Sequence, residues 1–370
     1  MSIFQGGGIS LQIVQGMPLT ALIRLLAGNQ FRVDSEHLGR LAYLIGIGVL
    51  NSILGACERF FDGQEINRIE LTKAPLFILG HWRSGTTHLH NLLSLDSTFC
   101  SPNVYQCLFP YHFVYSQVGS VAMNLLAPRK RPMDNVSLSW NAPHEDEFAL
   151  AALSLVSPYL RVIFPVTGQE WHTGLDLDKI PEEWKQRWKD SFLLFLRKLE
   201  LSEGRRPLLK SPPHTARIKH LLDIFPGAQF VHIVRNPYTV YLSTLNLWEK
   251  SFAKARLQEP SKKLVKDQIL DWYVEMFELF ERDRKLIPEG ALHELKYEEL
   301  EEEPLQELEK IYSTLNLPDF QDFYEQAGPY LQRVKSYKKN VFSLDNESKT
   351  LVNSRWRKTF EKYGYEIVGQ

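Results

Sequence analysis

The chain has 370 residues, 44% of them hydrophobic and 24% charged, and a net charge of −1 at pH 7. Such values describe a folded globular protein of one large or two modest domains, and they exclude a chain dominated by disorder. They also exclude a global basic field that would draw in nucleic acid, so any anion site must be built locally.

Residues 1–70 read as helical. The start, MSIFQGGGIS, has no basic stretch followed by an apolar one, so no secretory signal is expected. Leu41–Cys57 is 17 residues without a charge, between Arg40 and Glu58. It is short for a membrane span and holds Asn51, Ser52 and three glycines. Its first reading is a buried helix packed on the main domain; the second is peripheral membrane contact through residues 41–57; a true span comes last. Cys57, Cys100 and Cys107 form no C-x-x-C pair. That argues against zinc and disulfide frameworks and suits a reducing, cytoplasmic setting.

From Ala74 the pattern changes. PLFILG is a short apolar run ending in glycine, and a helix-like segment follows from Thr86 to Leu95. The region 97–200 is rich in aromatics and prolines. In its last part Trp184, Trp188, Phe192, Phe195 and Leu199 recur at helical spacing. Arg206–Lys210 reads as a strand, Thr215–Phe225 as a helix closed by Pro226-Gly227, and 228–234 as a β-branched strand. Asn236-Pro237 offers an N-cap and a proline at the first helical position. A long amphipathic helix is expected over 268–286, a strand at ALHELK and a helix over Pro304–Leu315, while Lys262–Lys266 and Glu298–Glu303 read as solvated charge runs. Strands alternating with helices predict an α/β, P-loop-like three-layer fold with a central parallel sheet, plus a helical N-terminal segment. The expected division is a segment over 1–70 packed on a main domain over 71–370.

Gly80–Thr87 reads G-H-W-R-S-G-T-T. A nucleoside-triphosphatase loop would carry lysine where Thr86 stands. A strand, a glycine-bearing turn and a helix start still make an anion site, because backbone N–H groups converge there and the helix dipole adds partial positive charge. Ser84, Thr86 and Thr87 add hydroxyls, Arg83 adds a fixed fork of donors, and Gly85 allows close backbone approach. Without the lysine the loop suits less charge than a triphosphate brings, and a 5′-phosphosulfate meets that description. A second anion feature is FVHIVRNPYTVYLSTL, where Arg235 follows a strand and Ser243 lies about two helical turns on.

Together LFILGHWRSGTTHLHNLL and FVHIVRNPYTVYLSTL resemble the 5′-phosphosulfate and 3′-phosphate motifs of sulfotransferases that use 3′-phosphoadenosine-5′-phosphosulfate (PAPS), and PLLKSPPH and LKYEELEEEPLQELEKIY resemble further blocks of that superfamily. The resemblance runs from about Pro75 to Leu317. It leans to the bacterial-type branch, which shares R-S-G-T-T with tyrosylprotein sulfotransferases; the cytosolic small-molecule branch has lysine where Arg83 stands. It implies Arg83, Ser84, Gly85, Thr86 and Thr87 around the 5′-phosphosulfate, Arg235 and Ser243 on the 3′-phosphate, and Tyr297 near the adenine. Lys210 resembles the catalytic lysine of the tyrosylprotein branch.

In-line sulfonyl transfer needs aligned reactants, stabilisation of charge on the bridging oxygen and removal of the acceptor's proton. Arg83 and then Lys210 are the candidates for the charge. NAPHEDEFAL supplies Glu145 as the candidate base, with His144 and Glu147 behind it; its plain reading is an acidic helix start. His88 and His90 fall near the loop, and His214 is a candidate lining residue. The expectation is a metal-independent PAPS sulfotransferase acting on a hydroxyl of an apolar small molecule such as a sterol, lipid alcohol or phenol, with no nucleic acid partner. An atypical P-loop kinase and a non-catalytic nucleotide-binding protein are the competing readings.

Overall fold

The computed structural model describes residues 13–116, 140–167, 174–334 and 344–369. The first twelve residues of the expected helical segment, and parts of the aromatic middle region, lie outside these. Two compact units interleave along the chain. One comprises Met1–Thr72, Pro102–Gly204 and Glu249–Pro260; the other comprises Lys73–Ser101, Arg205–Trp248 and Ser261–Gln370.

The second unit is built on five parallel strands: β1 (Leu76–Leu79), β2 (Phe99–Cys100), β3 (Arg206–Lys210), β4 (Gln229–Val234) and β5 (Leu292–Lys296), in spatial order β2-β3-β1-β4-β5. β1 is buried along its whole length between β3 and β4, as a continuous apolar run in a doubly covered parallel sheet requires. Its side chains alternate between two helical layers. Leu76 and Ile78 join a core with Leu89, Leu92, Ile311 and Leu315, from the helices Thr86–Leu93 and Pro304–Leu315. On the other face Phe77 stacks on Phe230 with centroids 5.5 Å apart, and His232 of β4 stacks on Phe280 of the helix Lys262–Asp283 at 3.8 Å. The expected three-layer α/β arrangement with a parallel sheet is what forms.

Two helices depart from the sequence pattern. The expected helix Thr215–Phe225 is broken into a 3₁₀ turn, Pro212–Ala216, and a helix, Ile218–Ile224. Pro212 and Pro213 occupy the first two positions of the 3₁₀ turn, and the turn presents the Thr215 hydroxyl to the backbone N–H of Gly80 at 2.8 Å. The helix expected at 268 begins at Lys262, because the Ser261 hydroxyl caps it by accepting from Leu264 N at 3.1 Å.

The first unit is helical among its described residues. On the helix Glu182–Glu203, Trp188, Phe192, Phe195 and Leu199 are buried as their spacing implies, while Trp184 sits half-buried. The helix Leu38–Phe61 inverts the usual arrangement. Its buried residues are Leu44, Gly48, Asn51, Gly55 and Glu58, whereas Leu38, Tyr43, Ile45, Val49, Leu50, Ile53 and Phe60 are exposed. A buried helix was the first expectation, and it is not what forms. Polar groups set the helix's rotation. Asn51 Nδ2 donates to the carbonyls of Gln15 and Met17 at 2.8 and 3.1 Å, and Glu58 pairs with Lys198 at 2.5 Å while accepting from Val114 N and Tyr115 N. Turning the apolar face inward would strand these groups, at a cost of several kcal/mol for the buried ion pair alone, on the order of 3–5.

Candidate functional site

Strand order places one topological switch point in the sheet. The chain leaves β1 toward β2 and leaves β4 toward β5, on opposite sides. The crevice beyond the carboxyl ends of two such strands is where open α/β sheets bind ligands. The loop after β1 holds Gly80–Gly85, and the turn after β4 holds Arg235 and Asn236, so both sequence-predicted anion features converge there.

The first loop needs left-handed backbone at three positions: Gly80 (φ +144°), Arg83 (φ +70°) and Gly85 (φ +105°). Arginine pays for that conformation in steric strain, and strain of this kind clusters at ligand sites. Gly85 is the N-cap of the helix Thr86–Leu93. Its Cβ, if present, would lie 2.2 Å from Cδ2 of Tyr297, so only glycine fits. The Ser84 hydroxyl donates to His81 O at 2.8 Å, tightening the turn. Amides in the first turn of a helix carry the positive end of its dipole.

The two features are cross-linked. Arg83 Nε donates to Ser243 Oγ at 2.8 Å, and Arg235 Nη1 donates to the backbone oxygen of Arg83 at 3.3 Å. The Arg235 guanidinium lies 4.1 Å above the ring of Tyr297, a cation–π contact that holds the fork flat. Tyr297 therefore sits between Gly85 and Arg235, a supporting role its sequence position did not suggest. Lys210 is buried at the end of β3, with Nζ 3.4 Å from the Thr87 hydroxyl. Arg83, Lys210, Arg235 and Ser243 thus come together in one unit, with Ser84, Thr86 and Thr87 on the connecting loop and helix.

Burial disfavours the charged form of two histidines at the loop, His81 and His88. Burial takes His81 down to about 4 against a hydrogen bond to Trp82 O, and burial likewise lowers His88 against the pull of Glu301. His90 is buried, with Nε2 3.1 Å from Ser101 Oγ; His214 is buried with its ring against Phe77 at 5.4 Å. Glu145, His144 and Glu147 belong to the helical unit. There the Tyr159 hydroxyl donates to the Glu145 carboxylate, the His144 ring lies 4.6 Å from Phe148, and Glu147 is fully buried as the first residue of the helix Glu147–Ser154.

Sequence reasoning missed two groups. Thr215 ties the β3-to-helix turn to Gly80. Glu298 lies in a run read as solvated surface, yet it accepts from Asn236 N at 3.0 Å, directly after Arg235. The signal for Glu298 was its place next to Tyr297.

Comparison with known proteins agrees with this geometry. Residues 75–322 match the sulfotransferase family. The chain is 33% identical over 351 residues, 95% of its length and 90% of the relative's, to an omega-hydroxy-beta-dihydromenaquinone-9 sulfotransferase, Stf3, from Mycobacterium bovis and equally to Stf3 from Mycobacterium tuberculosis. Its fold is similar to the sulfotransferase STF9 from Mycobacterium avium (TM-score 0.69, 17% identity, 95% of this chain and 92% of that one). It is also similar to STF1 from Mycobacterium tuberculosis (TM-score 0.65, 18% identity, 92% and 91%). Matched over two thirds of its length by the family, and 33% identical to a sulfotransferase over 95% of its length, the chain belongs to the sulfotransferases.

Proposed function

We propose that the protein moves a sulfonate group from PAPS to a hydroxyl of an apolar, membrane-derived small molecule. The observation that carries the donor assignment is the cross-linked pair of anion sites, Arg83 and Arg235 on either side of the switch point, with Ser243 joined to Arg83. One small ligand with separated anionic ends accounts for both. The relatives named for a dihydromenaquinone-type acceptor support an apolar acceptor here.

PAPS, as co-substrate, supplies the sulfonate and leaves as adenosine 3′,5′-bisphosphate. On this reading Arg83, the helix N-terminus and the Thr86 and Thr87 hydroxyls hold its phosphosulfate end while Ser84, bonded to His81 O, shapes the loop around it, and Arg235 and Ser243 hold its 3′-phosphate. The acceptor oxygen bonds to sulfur as the bond from sulfur to the bridging oxygen breaks. Arg83 and Lys210 neutralise the charge that collects on that oxygen, and Glu145 takes the acceptor's proton. No resident metal is assigned a part, because the two guanidinium groups already provide the cationic contacts. The kinase reading loses its ground with the family match and with Thr86 in place of the loop lysine.

The outward face of the helix Leu38–Phe61 is assigned to a lipid bilayer, from which such an acceptor would be drawn, and a cytoplasmic working site belongs to the same proposal. That face carries no charge between Arg40 and Glu58, and Ile53 and Phe60 are 57% and 82% exposed. Because Asn51 and Glu58 fasten the other face to protein, the helix would lie in the interface rather than cross it.

Thermal unfolding tests the donor assignment. Adenosine 3′,5′-bisphosphate at about 100 times its Kd should stabilise the protein by about 2.7 kcal/mol, whereas ATP with magnesium should not. Stabilisation by ATP–magnesium alone would sink the reading.

A further inference from the structure

Arg235 is placed by more than the ring beneath it. The next backbone amide, Asn236 N–H, donates to Glu298 Oε1 at 3.0 Å. The other oxygen of that carboxylate accepts from the Tyr365 hydroxyl at 2.8 Å. Tyr297 and Glu298 are consecutive, so one residue supports the Arg235 side chain and the next anchors the backbone that follows it. A second tie lies three residues along. The Tyr238 hydroxyl accepts from Val368 N at 2.9 Å and bonds to Asn353 Oδ1, while Asn353 Nδ2 donates to Val368 O at 3.2 Å. Asn236 Oδ1 closes the turn by accepting from Tyr238 N at 3.0 Å. Both ends of the stretch Arg235–Tyr238 are therefore fastened to the last residues of the chain, at the start of the helix Pro237–Lys250 that carries Ser243.

We propose that the C-terminal segment Tyr365–Val368, acting through Glu298 and Tyr238, is a positioning clamp for Arg235 that sets affinity for the 3′-phosphate end of the nucleotide. The inference rests on the donor assignment above. Tyr365 and Val368 are uncharged and act through other residues rather than on the ligand. Their effect comes from holding a long, rotamer-rich side chain and its backbone in the binding arrangement before the phosphate arrives, which removes an ordering cost from binding. The clamp predicts a selective defect: loosening it should weaken contacts at the 3′ end and spare the 5′ end, which is held by the Gly80–Thr87 loop.

Titration calorimetry on the full chain tests this with two probes, adenosine 3′,5′-bisphosphate and adenosine 5′-phosphate. Tyr365→Phe and Glu298→Ala should each weaken the bisphosphate about tenfold, the scale of one lost hydrogen bond to a charged or ordered group. They should change the monophosphate by less than about twofold on the same scale. Glu298→Gln keeps an oxygen for Asn236 N–H and a donor for Tyr365, so it should bind both probes like the wild type. In turnover, Tyr365→Phe should raise KM for PAPS while kcat stays level. Equal weakening of both probes, or no weakening of either, overturns the clamp. A wild-type protein that ignores the bisphosphate overturns the donor assignment instead. Should Glu298→Ala fail to fold, Tyr365→Phe, at a half-buried tail position, carries the test alone.

Discussion

Gly85 is under two independent demands, a left-handed backbone and a tyrosine ring where a side chain would begin. Its glycine was legible as a turn residue in the motif; the second demand was not, because Tyr297 is more than two hundred residues away. Gly85→Ala should therefore cost more than its φ alone implies, about 1–3 kcal/mol for strain plus displacement of the ring. Displacing that ring also removes the support under Arg235, so bisphosphate affinity should fall with stability. Paired measurement of thermal midpoint and Kd checks this, and a variant that loses stability but binds normally would contradict the link between Gly85, Tyr297 and Arg235. Thr86 illustrates the opposite case. Its meaning, a loop without a lysine, was available from the residue alone, since charge at a motif position needs no tertiary context.

At the scale of elements, strands were the most legible. β3 and β4 emerged close to their expected bounds because a short β-branched or apolar run flanked by breakers has few alternatives. Helix starts were less so, since the Ser261 cap starts one helix early and the 3₁₀ turn Pro212–Ala216 delays another to Ile218. The helix Leu38–Phe61 shows what periodicity cannot say: which face turns inward. His112 is part of that answer, with Nε2 3.1 Å from Asn51 Oδ1 and Nδ1 2.7 Å from Ser116 Oγ. Burial, with nearby Lys198, lowers His112 to about 4. Its folded-state value lies below the ordinary 6.5, so the unfolded chain binds more protons in between. The stabilisation is complete above about pH 6.5 and is lost as pH falls toward 4. A loss on the order of 3 kcal/mol across that window is expected from this group. Denaturant melts at pH 7 and pH 4.5 should show it, and His112→Gln should flatten the dependence; an unchanged slope in the variant would assign the effect elsewhere.

For the whole molecule, the telling feature among the described residues is the exposed apolar face of the helix Leu38–Phe61. Mixed with liposomes, the protein should float with the vesicles, and Leu50→Asp with Ile53→Asp should abolish flotation while leaving the fold intact, each charge being costly in the acyl region at about 2.5–3.5 kcal/mol. Wild-type protein that stays with the soluble fraction and sediments as a dimer would give the face to a second copy instead. The parallel sheet, the anion loop after β1, the second arginine after β4 and the family they mark were all determined by the sequence itself, because each is a short contiguous pattern whose physical meaning is local. What only the tertiary structure decided is how distant pieces meet. Examples are Tyr297 under Arg235 and against Gly85, Thr215 on Gly80, Tyr365 on Glu298, and the polar side of Leu38–Phe61 turned inward by Gln15, Met17 and Lys198. These depend on partners far along the chain, and packing and hydrogen-bond satisfaction, rather than any local propensity, select among the arrangements a pattern permits.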